Sequence, residues 1–338
     1  MSYERGASFE TLRQRAAMLA AVRAFFAARG VLEVETPALS SAGVTDPALE
    51  NIVASVRSLG NQYLQTSPEF AMKRLLAAGS GDIYQLCRVF RDDELGRWHQ
   101  PEFTLLEWYR VGWDEQRLMT EVAELIEAAL SAATTARDGG SAANAGSNLR
   151  PPGAPGAARR IVRLTYAQAV NAVLGAPPDA PTAELVRLLT KLEIDVPADL
   201  SHDAVLDLAF GTVVLASFDA SAVTLVYDYP ASQAALARVK PTTPPVAARF
   251  EAFCGGLELA NGFHELSDAA EQRRRFVNDI ATRRAQGRHA PPLDEDLLRA
   301  LPSLPDCAGV ALGFDRLVAL ATGQNDLKAV LGFAHGKN

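Results

Sequence analysis

At 338 residues, with 48% hydrophobic and 22% charged side chains, the chain has the composition of a folded globular protein with its own core and excludes a disordered one. A formal net charge of −7, from 33 Lys+Arg against 40 Asp+Glu, argues against a general nucleic-acid binder, whose affinity depends on cations that displace counterions. Three scattered cysteines, Cys87, Cys254 and Cys307, exclude a disulfide framework or a zinc site. With no apolar run of membrane-spanning length and charges throughout the first thirty residues, a cytoplasmic protein without membrane contact is expected.

Residues 9–29 read as an amphipathic helix, with Leu12, Leu19, Val22 and Phe26 at helical spacing and Gly30 as its C-terminal cap. A short strand follows at 31–35 and ends at Pro37, and a second strand, Tyr63-Leu64-Gln65, leads into Thr66-Ser67-Pro68-Glu69, which opens a helix to about Ala78. Residues 82–90 and 102–110 read as strands around a polar loop, and a helix covers about 114–131. The stretch 132–160 holds one large aliphatic residue, Leu149, among Ala, Gly, Ser, Asn, Pro and Arg, and is expected to be a flexible insertion. Beyond it, 165–210 reads as helical, 223–227 as a strand, 246–265 as a hairpin, 267–287 as a charged helix, and Gly309 to Ala321 as strand then helix. Paired strands with interspersed helices imply an α+β domain, an antiparallel sheet flanked by helices.

Three segments carry chemistry. The loop after residue 90 gathers Arg91, Asp92, Asp93, Glu94, Arg97, His99 and Gln100, and an arginine at a strand end is well placed to hold a phosphate bidentately. The hairpin carries Glu251, Glu258 and Glu265, seven apart. With Gly255-Gly256 as its turn, Phe253 pairs with Glu258, and Glu251 and Glu258 emerge on one face. Two such carboxylates repel unless a cation lies between them, and oxygen-only ligation completed by phosphate suits magnesium. Glu265 has the wrong parity for that face unless Asn261-Gly262 makes a bulge. The third segment, Gly309-Val310-Ala311-Leu312-Gly313-Phe314-Asp315-Arg316, sets an arginine on the first turn of a helix after a glycine-containing strand.

In chain order these pieces resemble the three signature motifs of class II aminoacyl-tRNA synthetases: the long helix with the strand ending at Glu35-Thr36-Pro37, then Phe90-Arg91-x-Asp93 with its loop and returning strand, then Gly313-Phe314-Asp315-Arg316-Leu317. Thr66-Ser67-Pro68-Glu69, the run His99-Gln100-Pro101-Glu102-Phe103-Thr104 ending in Glu107-Trp108-Tyr109, and Gly262-Phe263-His264-Glu265-Leu266 are similar to lysyl-tRNA synthetase. Because the first-motif helix starts near residue 9, no anticodon-reading domain is expected, and the chain is expected to be a single catalytic domain over 1–338. The whole resembles the free-standing elongation factor P β-lysine ligase family. That resemblance implies ATP-dependent activation of (R)-β-lysine to an adenylate and its transfer to a lysine ε-amine of elongation factor P by a magnesium-dependent homodimer.

The resemblance also implies roles. Arg91 and Arg316 would act on the phosphates of ATP. Asp92, Asp93, His99, Gln100, Phe103, Glu258, Leu259 and Gly313 would complete the nucleotide site, with Phe103 stacking under adenine, and Glu251 and Glu258 would hold magnesium. Ser67, Pro68 and Glu69 would receive one substrate ammonium, and Tyr109 and Glu265, assisted by Glu107, the other. Two separated acidic anchors suit a diamine acid. Three departures stand out. Asp93 replaces the usual Glu, so that the loop shifts inward, a water bridges, or Glu94 substitutes. Gln100 replaces the usual Asn. Ala311 replaces the Gly of the tRNA-charging relatives, which favours β-lysine over α-lysine. The rival readings are a lysyl-tRNA synthetase-like enzyme acting on another acceptor, another adenylate-forming ligase of this fold, and a non-catalytic regulatory paralogue. The last is disfavoured because Arg91, Arg316, Glu251 and Glu258 are all present.

Overall fold

The computed structural model describes residues 4–138 and 159–334. Its principal elements are α1 (Phe9–Ala27), β1 (Leu32–Glu33), α2 (Glu69–Ala77), β2 (Ile83–Phe90), β3 (Glu102–Val111), α3 (Glu115–Asp138), β4 (Ile161–Thr165), β5 (Val223–Pro230), β6 (Val246–Cys254), β7 (Leu257–His264), α4 (Ala269–Ala285), β8 (Cys307–Gly313) and α5 (Phe314–Thr322). The chain divides into two compact units, Met1–Pro151 with Glu265–Asn338, and Pro152–His264.

In the first unit, β3 lies between β2 and β8 in antiparallel ladders, and β1 pairs with β2 in parallel. Alternation along β3 divides its side chains between two faces. Leu106 and Trp108 are fully buried on one of them. Phe26 of α1 stacks on Tyr84, with ring centroids 4.4 Å apart, and meets Trp108 edge-on at 5.5 Å. The other face carries Glu107 and Tyr109, opposite Ala311 and Gly309 of β8. Ser8 caps α1 by accepting from the Thr11 amide at 3.0 Å, and Gly30, at φ 68°, turns the chain beyond its end. The buried stripe of α1 is Thr11, Gln14, Met18, Val22, Phe25 and Phe26, whereas Leu12 and Leu19, expected in the core, are half-buried. Apolar residues occur around much of this helix, so spacing alone did not select the face.

Helix α3 continues to Asp138, past the expected end near 131. The flexible insertion expected from residue 132 therefore does not start there. Residues 132–138 are helical, with Ala133 fully buried and its carbonyl accepting from Gln14 of α1 at 3.4 Å; residues 139–158 of the expected insertion lie outside the described residues, and Arg159 and Arg160 lead directly into β4. Alanine has the highest helix propensity and lets two helices approach closely, so a run without large apolar residues can still pack.

In the second unit, β6 pairs antiparallel with β5 and β7, and β4 runs parallel to β5. Helices Tyr166–Leu174, Thr182–Lys191 and His202–Ala209 belong to it, around a core that includes Tyr166, Phe210, Tyr229 and Phe253. The main ladders of each unit are thus antiparallel, as expected, with a parallel pair of β1 and β2 in the first and of β4 and β5 in the second. All three cysteines are free thiols. Among the described residues, no helix is long and apolar enough to cross a membrane.

Candidate active site

Pro68 occupies the N-cap position of α2, placing Glu69 on its first turn and Lys73 one turn later. Ser67 orders the approach. Its hydroxyl accepts from the Glu69 amide at 3.1 Å and donates to Glu107 at 2.6 Å. The second oxygen of Glu107 accepts from the Tyr109 hydroxyl at 2.6 Å. Lys73, almost wholly buried, places its ammonium 2.6 Å from Glu69 and 2.6 Å from Glu265, so those two carboxylate oxygens lie no farther apart than twice that distance. Ser67, Glu69, Glu107, Tyr109 and Glu265 therefore form one cluster. The acidic anchors, expected to be separate, are bridged by Lys73, which none of the motifs marked. Its signal was present: Glu and Lys four apart on a helix are neighbours.

The electrostatics follow from burial. Burial raises the pKa of Glu107, and the charges of Glu69 and Glu265 add to that against the pull of its two hydrogen bonds; together they push it up to about 8. Tyr109 is raised well above its ordinary value by burial and by Glu107, Glu69 and Glu265, and stays a neutral donor. Burial works to strip the Lys73 proton, but Glu265 and Glu69 outweigh it and hold the ammonium charged. The outcome is a buried acid cluster satisfied by one ammonium.

Gly309 shapes this cluster. It pairs with Tyr109 across the β3–β8 ladder, and a Cβ there would lie 2.5 Å from a Glu265 oxygen and inside the Tyr109 ring. Ala311 faces Glu107 two residues further on. At Gly313, by contrast, a Cβ would make only ordinary contact with the Arg316 stem, at 3.6 Å.

The arginines come next. Arg91 donates to the Thr66 carbonyl at 3.4 Å, its guanidinium lies 5.0 Å from the Phe103 ring centre, and Glu94 approaches it at 3.5 Å. Asp93 is exposed in the left-handed region, at φ 58°, with its amide donating to Asp92 at 2.9 Å, so Glu94 is the carboxylate that pairs with Arg91. Arg316 approaches the His99 ring nitrogen at 2.8 Å and the Trp98 carbonyl at 3.4 Å. Burial and the charges of Arg316 and Arg91 lower the pKa of His99 against a smaller opposing pull from Glu94, so both guanidinium groups lie within electrostatic reach of that ring. Gln100 is fully buried. Asp315, beside Arg316, ties the three motif segments together. It pairs with Arg15 of α1 at 2.6 Å and accepts from the Thr104 amide of β3 at 2.8 Å, fixing the helix that carries Arg316.

In the second unit the hairpin turns at Gly255-Gly256, both at positive φ, and pairs Phe253 with Glu258 and Glu251 with Asn261. Between these pairs the register shifts opposite Leu259, so the expected bulge exists but not at Asn261-Gly262. Glu251 and Glu258 share a face through that shift. One oxygen of Glu251 accepts from Tyr229 at 2.7 Å and the other from Arg249. A guanidinium thus already answers the repulsion that made a metal ion attractive, and among the described residues no three His, Cys, Asp or Glu side chains are grouped to hold one.

Known relatives identify the family. The profile of the family described as "tRNA synthetases class II (D, K and N)" matches residues 1–337. A protein of Vibrio vulnificus (strain YJ016) named "Elongation factor P--(R)-beta-lysine ligase" is 44% identical over 336 residues, covering 97% of this chain and 96% of its own. Proteins of the same name from Salmonella dublin and Salmonella paratyphi C (strain RKS4594) are 44% identical over 341 residues, covering 98% of this chain and 97% of theirs. With its acid cluster and its arginines carried on the segments the motifs define, the chain belongs to the class II tRNA synthetase family of the D, K and N type, alongside the elongation factor P β-lysine ligases.

Proposed function

We propose that this chain is an ATP-dependent ligase that activates (R)-β-lysine and transfers it to a lysine ε-amine of elongation factor P. The observation that carries the reading is one acid cluster in which Glu69 and Glu265 share the Lys73 ammonium while Glu107 is held by the Ser67 and Tyr109 hydroxyls. Such an anionic pocket favours a substrate that brings a cationic amine, because a second ammonium beside that of Lys73 would let Glu107 ionise as well. Arg91 and Arg316 neutralise phosphate charge while a substrate carboxylate oxygen bonds to the α-phosphorus and pyrophosphate leaves. The acceptor amine then attacks the activated carbonyl carbon, forming an amide and releasing AMP. Phe103, beneath Arg91, offers a ring face for the base. Asp92, Asp93, His99 and Gln100 line the same loop.

Glu251 and Glu258 offer hard oxygen donors of the kind magnesium takes, two where the ion needs six, so water and phosphate oxygens would supply the remainder. Magnesium bound there would neutralise phosphate charge, in competition with Arg249 for Glu251. A homodimer is part of the reading. Phe9 and the half-buried Leu12 and Leu19 fall on one side of α1, and Leu32, Leu39 and Val53 are exposed nearby in sequence. A cytoplasmic location follows from a translation factor as acceptor. The direct test is mass spectrometry of elongation factor P incubated with ATP, (R)-β-lysine and enzyme. Addition of one β-lysyl mass to one lysine is expected, and an unmodified acceptor with active enzyme and substrates overturns the transfer step.

A further inference from the structure

Arg283, near the end of α4, is fully buried and donates from all three guanidinium nitrogens, to residues 46–50 and to His289 beyond its own helix. It donates to the carbonyls of Asp46 at 2.9 Å, Leu49 at 2.6 Å and His289 at 2.6 Å, and pairs with the Glu50 carboxylate at 2.6 Å. Neighbouring contacts bind the same loop to the same helix. Thr45 donates to Asp279 of α4 at 3.0 Å, and Arg288 donates to the Pro47 carbonyl and approaches Glu50 at 3.5 Å. The loop in turn holds the segment that follows β2. The Glu50 carbonyl accepts the amide of Asp92 at 3.0 Å, between Arg91 and Asp93. That bond pins the chain where it enters the left-handed conformation at Asp93, and Arg91 leaves for the Thr66 carbonyl one residue earlier.

We infer that Arg283 and Glu50 are positioning residues for nucleotide binding: the Arg283 clamp on residues 46–50 holds the Arg91–Asp93 turn in the conformation that receives ATP. A buried arginine bound to three carbonyls and a carboxylate fixes backbone geometry more strictly than packing, because each lost partner leaves a desolvated polar group. Glu50 is the outward end of the clamp, partly open to solvent, and can be altered with the buried guanidinium left in place. The inference rests on the proposed function, in which Arg91 faces ATP.

The test measures pyrophosphate–ATP exchange for Glu50→Gln and Arg283→Lys beside the unaltered protein and Arg91→Ala, with Michaelis constants for ATP and for (R)-β-lysine and the thermal midpoint of each. Both variants are expected to raise the constant for ATP roughly five- to tenfold while that for the amino acid stays within about twofold. Glu50→Gln should keep a near-normal midpoint, which separates positioning from loss of fold. Exchange abolished by Arg91→Ala but with an unchanged ATP constant in both variants overturns this inference alone. So does a rise of both constants that tracks the loss of thermal stability. Absence of exchange in the unaltered protein overturns the proposed function and this inference with it.

Discussion

Lys73 shows how much a single residue can decide. Three glutamates brought together in a dry interior would repel, and one lysine ammonium lets two of them remain charged. Lys73→Met should therefore destabilise the fold by about 3–5 kcal/mol, the range for removing one member of a buried ion pair, as read by urea unfolding. Glu107 carries the remaining strain. Its carboxyl is raised from 4.5 to about 8 in the folded chain, so between those values the folded state holds a proton that the unfolded state has lost. The stability this group contributes is present below pH 4.5 and is lost as pH rises towards 8. A series of thermal midpoints from pH 5 to 8 should fall more steeply for the unaltered protein than for Glu107→Gln, whose side chain cannot ionise. Gly309→Ala puts a methyl against Tyr109 and Glu265 and should cost about 1–3 kcal/mol together with most amino-acid activation.

Helices and strands were legible in the sequence wherever local chemistry sets them. Thr66-Ser67-Pro68-Glu69 opens α2, although Pro68 takes the N-cap position itself and Ser67 receives the Glu69 amide from before it, and Gly255-Gly256 turns the hairpin in the register that places Phe253 opposite Glu258. Both glycines sit at positive φ, so alanine at either should cost about 1 kcal/mol by denaturant titration with little change in kinetics. What depended on distant partners was not legible. The bulge opposite Leu259, the buried side of α1 and the continuation of α3 to Asp138 are settled by the elements packed against them, which no local pattern records. The site divides in the same way. Glu69, Glu107, Tyr109, Glu265, Arg91 and Arg316 stood out through their motifs; Lys73 had a local trace in its spacing from Glu69, but its bond to Glu265, like the contacts of Gly309, Asp315 and Arg283, reaches far along the chain.

At the scale of the whole molecule, a net acidic chain brings Glu69, Glu107 and Glu265 into one largely buried cluster among the described residues, and leaves apolar side chains exposed on and after α1. Light scattering after size exclusion should report a dimer, and Phe9→Glu with Leu32→Glu should shift it towards monomer. The central claim is that the acid cluster selects a cationic amino acid for activation by ATP at the arginines. Pyrophosphate–ATP exchange, measured with (R)-β-lysine, with α-lysine and without amino acid, in the unaltered protein and in Arg91→Ala, tests it most directly. The account predicts exchange that requires an amino acid, is faster with (R)-β-lysine than with α-lysine, and disappears in Arg91→Ala. Exchange that ignores the amino acid, or that persists near its normal rate without Arg91, would contradict it.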